Sequence, residues 1–255
     1  MLQIVIPARY ESVRLPGKPL ININGKAMLE HVYNAALEAY KTWDHDDIEI
    51  APPLVSTDSE LIHNFCISHN IPVITTGPSK TGTDRVSKSI NNPDIKFIVN
   101  FQGDEPTLSA EFIKDFCVET VNRATDKKII NAYCDLSENR ALDRNNVKAV
   151  ITYSGSLCFF TREPQPSFSK GGTPGFYKQI GLYGFTINAL NEFCSLAPSN
   201  LEEMSNVELM RWLDNSRSIS GVYSPEPSYS VDVIEDILVV ERLLELRQSL
   251  KNLSK

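Results

Sequence analysis

Apolar runs of strand length alternate with amphipathic stretches of helix length, and this alternation constrains the fold of the chain more than any other feature. Strands and helices taken in turn favour an α/β architecture with a largely parallel sheet, because a parallel crossover needs about a dozen residues, usually a helix. Leu2 to Pro7 reads as a buried first strand. Met28, Leu29, Val32, Ala36 and Ala39 recur at helical spacing and predict a helix over 27–41 with one apolar face. Asp58 is expected to cap a helix presenting Leu61, Ile62 and Phe65. Val73 to Thr75 and Phe97 to Phe101 read as further strands, and Ser109 as the start of a helix carrying Phe112, Ile113 and Phe116.

The middle of the chain breaks this rhythm. Ile129 to Cys134, Val147 to Thr152, Leu157 to Phe160 and Gln179 to Ile187 are short β-rich runs separated by polar or Gly/Pro-rich segments. They predict antiparallel strands in a lobe, about residues 107–190, inserted into a single domain spanning 1–255. Ser167 to Gly175 has the composition of a flexible loop. Winding resumes with a helix over 204–213, a strand over 219–222 and a terminal helix carrying Ile237, Leu238, Val240, Leu243 and Leu244. The last four residues are expected to fray.

Charge and cysteine content narrow the function classes. With 25 basic against 32 acidic side chains, the net charge of −7 argues against a nonspecific nucleic-acid binder, which neutralises phosphates with a basic face. Yet residues 1–30 hold Arg9, Arg14, Lys18 and Lys26 against only Glu11 and Glu30. A local basic cluster on an acidic chain points to a small anionic ligand. No apolar run approaches the roughly 18 residues of a membrane span, and neither signal peptide nor anchor is read. Five widely spaced cysteines, an odd number in mostly apolar surroundings, fit reduced thiols in a cytoplasmic protein better than a disulfide framework.

Two loops carry the chemistry. Ala8-Arg9-Tyr10-Glu11-Ser12-Val13-Arg14-Leu15-Pro16-Gly17-Lys18-Pro19 follows the first strand, at the carboxyl end where ligands of wound α/β sheets bind. Two arginines and a lysine within ten residues suit a polyphosphate, although a solvated basic loop has the same composition. It is neither a Walker A loop nor a dinucleotide fingerprint, since GxxxxGK[ST] and GxGxxG are both absent. Asn100-Phe101-Gln102-Gly103-Asp104-Glu105-Pro106 follows a strongly apolar strand. Gly103 permits close backbone approach, and Asp104 could hold Mg²⁺ against phosphate oxygens, with Glu105 a neighbouring or solvated acid. By itself Gly-Asp-Glu-Pro is equally well a turn.

These two loops, with Thr81-Gly82-Thr83-Asp84-Arg85 and Ile180-Gly181-Leu182-Tyr183-Gly184-Phe185, occur in the order and approximate spacing found in the 3-deoxy-manno-octulosonate (Kdo) cytidylyltransferases. The chain resembles that family from Ile4 to about Leu244. The resemblance implies a Rossmann-like, three-layer α/β/α nucleotidyltransferase fold with a mostly parallel sheet and an inserted β-rich lobe. It implies an enzyme of lipopolysaccharide biosynthesis that makes CMP-Kdo and pyrophosphate from CTP and a 2-keto-3-deoxy sugar acid. Ala8, Arg9, Arg14 and Lys18 match the nucleotide-binding loop, Lys18 also as a catalytic group; Asp104 and Asp232 match the catalytic magnesium ligands. Arg85, Gln102, Gln179, Tyr183 and Glu208 match positions that contact the sugar. A homodimer formed through the inserted lobe is also implied.

The chain departs from the family pattern in several places. Residues 42–54, with Pro52-Pro53, look like a local expansion. After Asp232, Val233-Ile234 stands where the family has Thr-Pro, and a helix N-cap is the competing reading of Asp232. Gln179 replaces the family's His, and Leu209 the Gln of a Glu-Gln pair. Two changes in one expected pocket raise the possibility of a modified sugar such as 8-amino-8-deoxy-Kdo. A sialic, pseudaminic or legionaminic acid is the nearest alternative substrate, and a catalytically silent nucleotide-binding homologue the alternative class. The four histidines lie away from these motifs, and no Cys/His spacing suggests zinc.

Overall fold

A run that is apolar on both faces is stable only where both faces of a sheet are covered, and strand β1 (Leu2–Ala8) accordingly buries Leu2, Ile4, Val5 and Ile6 completely. The computed structural model describes residues 1–12, 14–163 and 176–253. After β1 come a 3-10 turn (Lys18–Leu20), the short hairpin strands β2 (Asn22–Ile23) and β3 (Lys26–Ala27), α1 (Met28–Lys41), β4 (Ile50–Thr57), α2 (Glu60–Ser68) and β5 (Val73–Thr75). Then follow α3 (Gly82–Lys88), β6 (Phe97–Phe101), α4 (Ala110–Arg123), β7 (Lys128–Leu136), α5 (Glu138–Ala141), β8 (Lys148–Ile151), β9 (Ser156–Thr161) and β10 (Phe176–Thr186). The chain ends with α6 (Ile187–Ser195), α7 (Asn200–Ser205), α8 (Met210–Asp214), β11 (Ser218–Ser224) and α9 (Ile234–Leu253). The expected loop over 167–175 lies outside the described residues, as do Ser254 and Lys255.

The chain divides into two compact units. The amino-terminal unit comprises Gln3–Asn91, Asn100–Lys114 and Ser228–Lys255. Its strands take the order β5-β4-β1, with β4 and β5 parallel from Val55 opposite Val73 to Thr57 opposite Thr75. Helix α1 buries Met28, Leu29, Val32, Tyr33, Ala36 and Ala39, the expected face with Tyr33 added. Leu15, Ile23, Met28, Val231 and Val240 form one cluster, with Ile237 and Leu244 packed against it. On α9, Leu238 is exposed, contrary to the expected face, because the i, i+3, i+7 stripe through Ile237, Val240 and Leu244 meets the core.

The central unit comprises Met1–Leu2, Asn92–Val99 and Asp115–Pro227. Its strand order is β10-β7-β11-β9-β8, with β8 also pairing β10. β10–β7, β11–β9 and β8–β9 are antiparallel, as the short β-rich runs predict, whereas β11 returns parallel to β7. Thr120 on α4 lies so close to β10 that a Cβ on Gly184 would stand 2.3 Å from its Oγ1, which makes glycine necessary there.

Two further local expectations are corrected, and one strand is added. Asp58 does not cap α2; Ser59 holds the N-cap position, and the buried face is Ile62 with Cys66, while Leu61 is exposed. The helix expected over 204–213 is two helices, because Asn206 adopts a left-handed conformation (φ 51°, ψ 44°) that ends α7. The stretch read as an expansion over 42–54 contains the start of β4, which the sequence reading omitted because Pro52 and Pro53 lack ladder donors. Both prolines precede the Val55–Thr57 segment that pairs with β5, so none of that ladder's bonds is lost. All five cysteines are free, with Cys66, Cys117 and Cys134 buried, and burial pushes the Cys66 thiol up to about 11. No described helix is long and apolar enough to cross a membrane.

Candidate active site

The loop after β1 folds back before entering the 3-10 turn. Gly17 N donates to Tyr10 O at 3.1 Å and Lys18 N to Leu15 O at 3.1 Å. Gly17 has φ +69°, and a Cβ there would meet the Tyr10 ring at 3.3 Å, so the turn needs glycine on both counts. Leu15 is buried with Val231, which ties this loop to the segment preceding α9.

That packing brings four charged groups together. Lys18 Nζ lies 2.8 Å from Asp104 Oδ2 and 3.2 Å from Asp232 Oδ1, and Arg14 Nη2 donates to the same Asp232 oxygen at 2.8 Å. The Lys18 side chain is only 12% exposed, Asp232 16%, and Asp104 35%. Burial pulls the Lys18 pKa down, but the charges and hydrogen bonds of Asp104 and Asp232 outweigh it and hold the ammonium above its ordinary 10.5.

The segments bearing the two aspartates are stitched together. Val231 N donates to Asp104 O at 3.0 Å, and Tyr229 N donates to Thr107 Oγ1 at 2.9 Å. Glu105 is neither solvated nor free: it is buried, and its carboxylate accepts from Ser228 Oγ. Arg247 on α9 donates to Thr107 O. A Cβ on Gly103 would come within 3.0 Å of Pro7 O, so glycine sets the approach of this loop to the end of β1. Asp236 accepts from Asp232 N at 2.7 Å and Val233 N at 2.9 Å, so the first-turn acid of α9 serves the helix start while Asp232 turns to Arg14 and Lys18.

The remaining expected residues fall in both units. In the amino-terminal unit, Ala8 is buried at the end of β1 and Arg9 is exposed beside it. Arg85 is buried on α3, donating to Asp58 Oδ2 at 2.6 Å and Thr76 Oγ1 at 3.0 Å. This pairing is what Asp58 does in place of capping α2. Gln102 donates to Asn100 Oδ1 at 3.2 Å, Asn100 to Thr83 Oγ1 at 2.9 Å, and a Cβ on Gly82 would lie 2.9 Å from Gln102 Nε2. The Thr81–Asp84 capping box starts α3 and thereby fixes Arg85. In the central unit, Gln179 and Tyr183 are buried on β10, Glu208 is half-buried and Leu209 is fully buried at the start of α8. The sequence reading missed Asp58, Asn100 and Asn131; a polar side chain within an apolar strand, as in Ile129-Ile130-Asn131-Ala132, is the signal that finds the last two.

Two carboxylates converging on one ammonium supply hard oxygen donors. One or two carboxylates plus substrate phosphates are the usual protein share of a Mg²⁺ site, so Asp104 and Asp232 fit a divalent cation held jointly with a nucleotide. Among the described residues no cluster of three or more His, Cys, Asp or Glu side chains offers a self-sufficient metal cage.

Comparison with known proteins converges on the same chemistry. The profile of the family described as cytidylyltransferase matches residues 3–219. A 3-deoxy-manno-octulosonate cytidylyltransferase of Lawsonia intracellularis is 34% identical over 248 residues, covering 95% of this chain and 94% of that protein. One of Thermodesulfovibrio yellowstonii is 31% identical over 254 residues, covering 94% and 96%. A solved CMP:2-keto-3-deoxy-manno-octonic acid synthetase in complex with CTP superposes with a TM-score of 0.82 at 25% identity, over 96% of this chain and 99% of that one. A putative glucose-1-phosphate thymidylyltransferase of Bacillus anthracis, at TM-score 0.64 and 14% identity, bears on the fold alone. An α/β nucleotidyltransferase fold, a basic loop beyond β1 and relatives matched along nearly their full length have one reading: the chain belongs to the cytidylyltransferase family, among the 3-deoxy-manno-octulosonate cytidylyltransferases.

Proposed function

We propose that the protein transfers the cytidylyl group of CTP to Kdo, giving CMP-Kdo and pyrophosphate for lipopolysaccharide biosynthesis. The observation that carries this reading is the buried Lys18 ammonium shared by Asp104 and Asp232, with Arg14 on Asp232. The sugar's anomeric oxygen bonds to the α-phosphorus, the bridge to the β-phosphate breaks, and its electron pair leaves with pyrophosphate. The hydroxyl proton passes to solvent, so no protein base is required. Arg9, Arg14 and Lys18, on the loop following Ala8, bind the triphosphate, and Lys18 balances charge building on the leaving group. Asp104 and Asp232 hold Mg²⁺, which when bound supplies Lewis-acid polarisation of the phosphate. In the amino-terminal unit Arg85 and Gln102 are the residues assigned to the sugar acid; in the central unit the residues so assigned are Gln179, Tyr183 and Glu208.

The reaction is assigned to the cytoplasm, in keeping with five free cysteines and a nucleoside triphosphate substrate. The enzyme is a homodimer formed through the inserted lobe, about residues 107–190, and the exposed aromatic Phe159 in that lobe supports the assignment. The test is pyrophosphate release from CTP with Kdo and 8-amino-Kdo side by side, with and without Mg²⁺. Turnover of neither sugar overturns the reading.

A further inference from the structure

Strand β10 steps out of register where the Ile180-Gly181-Leu182-Tyr183 motif crosses β7. Gln179 pairs with Tyr133 and Tyr183 with Asn131, so four steps along β10 oppose two along β7. A bulge of this kind removes backbone partners and re-aims the side chains on either side of it. Asn131 replaces those partners: its Nδ2 donates to Ile180 O at 2.9 Å and to Leu182 O at 3.1 Å. Asn131 is fully buried, and Gln179 is 7% exposed. Asn131 Oδ1 and Gln179 Nε2 are nonetheless both buried without a hydrogen-bond partner. Residues paired directly across strands share a face, so Asn131, Tyr183, Tyr133 and Gln179 lie on one side of the sheet. An unpaired acceptor and an unpaired donor therefore flank the bulge that carries the motif.

Leaving such groups unpaired carries a desolvation cost that a complementary ligand group repays. A hydroxyl donates to one atom and accepts from another at once, as this pair requires; an ammonium only donates, and a methylene does neither. We infer that Asn131, with Gln179, is a specificity-determining residue that recognises one hydroxyl of the sugar acid. This inference rests on the sugar-acid reading of the site. Asn131 acts in two ways: its amide nitrogen braces the bulge, and its carbonyl oxygen, otherwise unpaired, accepts from the hydroxyl. A site built to bond a hydroxyl rejects the analogue lacking it far more strongly than an apolar wall does.

The test measures kcat/KM for Kdo and for a panel of its mono-deoxy analogues with the wild type, Asn131→Leu and Gln179→Leu. In the wild type one deoxy analogue should be penalised roughly tenfold beyond the others, the loss of about one hydrogen bond's worth of binding. Both variants should abolish that penalty at the same hydroxyl while the KM for CTP stays unchanged. Gln179→Leu leaves the Asn131 brace intact, so the inference remains testable if Asn131→Leu fails to fold. A wild type inactive with CTP and Kdo sinks the functional reading. An active wild type whose penalty at every position survives both substitutions overturns this inference alone, and leaves the two atoms to buried water.

Discussion

Lys18 is the side chain on which the site closes, and substituting Lys18 or its partner Asp104 tests different parts of the assignment. Asp104→Asn keeps the shape of the carboxylate but loses the charge that a cation and Lys18 both need. Turnover should fall by about a hundredfold or more, with the circular dichroism spectrum unchanged; full Mg²⁺-dependent activity in this variant would falsify the metal assignment. Lys18→Ala should raise the KM for CTP and lower kcat together, because its charge is felt by phosphate in both ground and transition states. Normal steady-state parameters would reduce Lys18 to a structural ion pair. Since the folded pKa of Lys18 is raised, its ion pairs contribute stability that is fully present below 10.5 and lost only as pH rises through the folded value. The pH profile of kcat/KM should therefore show no alkaline limb from Lys18 below that point, and a limb near neutrality that Lys18→Arg removes would contradict the assignment.

The elements hold Asp104 through a close backbone approach. Gly103 sits against the end of β1, and Gly103→Ala places a Cβ 3.0 Å from Pro7 O. The loop bearing Asp104 must then shift, which should cost about 1–3 kcal/mol in urea denaturation and lower kcat with it. Wild-type stability would mean that the loop has room to spare. Asn206 ends α7 in a left-handed conformation, which costs other residues roughly 1–2 kcal/mol. Asn206→Ala should lose about that much stability and Asn206→Gly almost none; equal losses from both would point to the amide instead. This residue explains why a helix expected over 204–213 is broken in two: the apolar spacing continues across a backbone conformation that helical periodicity does not register. Strand β4 was missed for the converse reason, since Pro52 and Pro53 hide a strand whose pairing with β5 begins only at Val55.

At the scale of the molecule, the predicted assembly is a homodimer. Light scattering at micromolar concentration should give twice the chain mass, and a monomer mass would count against a dimer formed through the inserted lobe. The strands β1, β5 and β6, helix α1 and both chemical loops were readable from residue order, because apolar period, turn residues and local charge act over a few neighbours. Composition alone could not tell a triphosphate loop from a solvated basic one; it is the resemblance carried by the motif series that implies the former. The closure of the site is different. Lys18 meets Asp104 across 86 positions and Asp232 across 214, and Asp58, read as a cap, finds Arg85 across 27. The sequence by itself determined which groups could do phosphate chemistry and on which strand ends they sit. Which of them share a proton-rich point, and that Asn131 stands in for a missing stretch of ladder, was decided by tertiary packing, because burial of Leu15 against Val231 and slippage of β10 over β7 depend on residues remote in sequence.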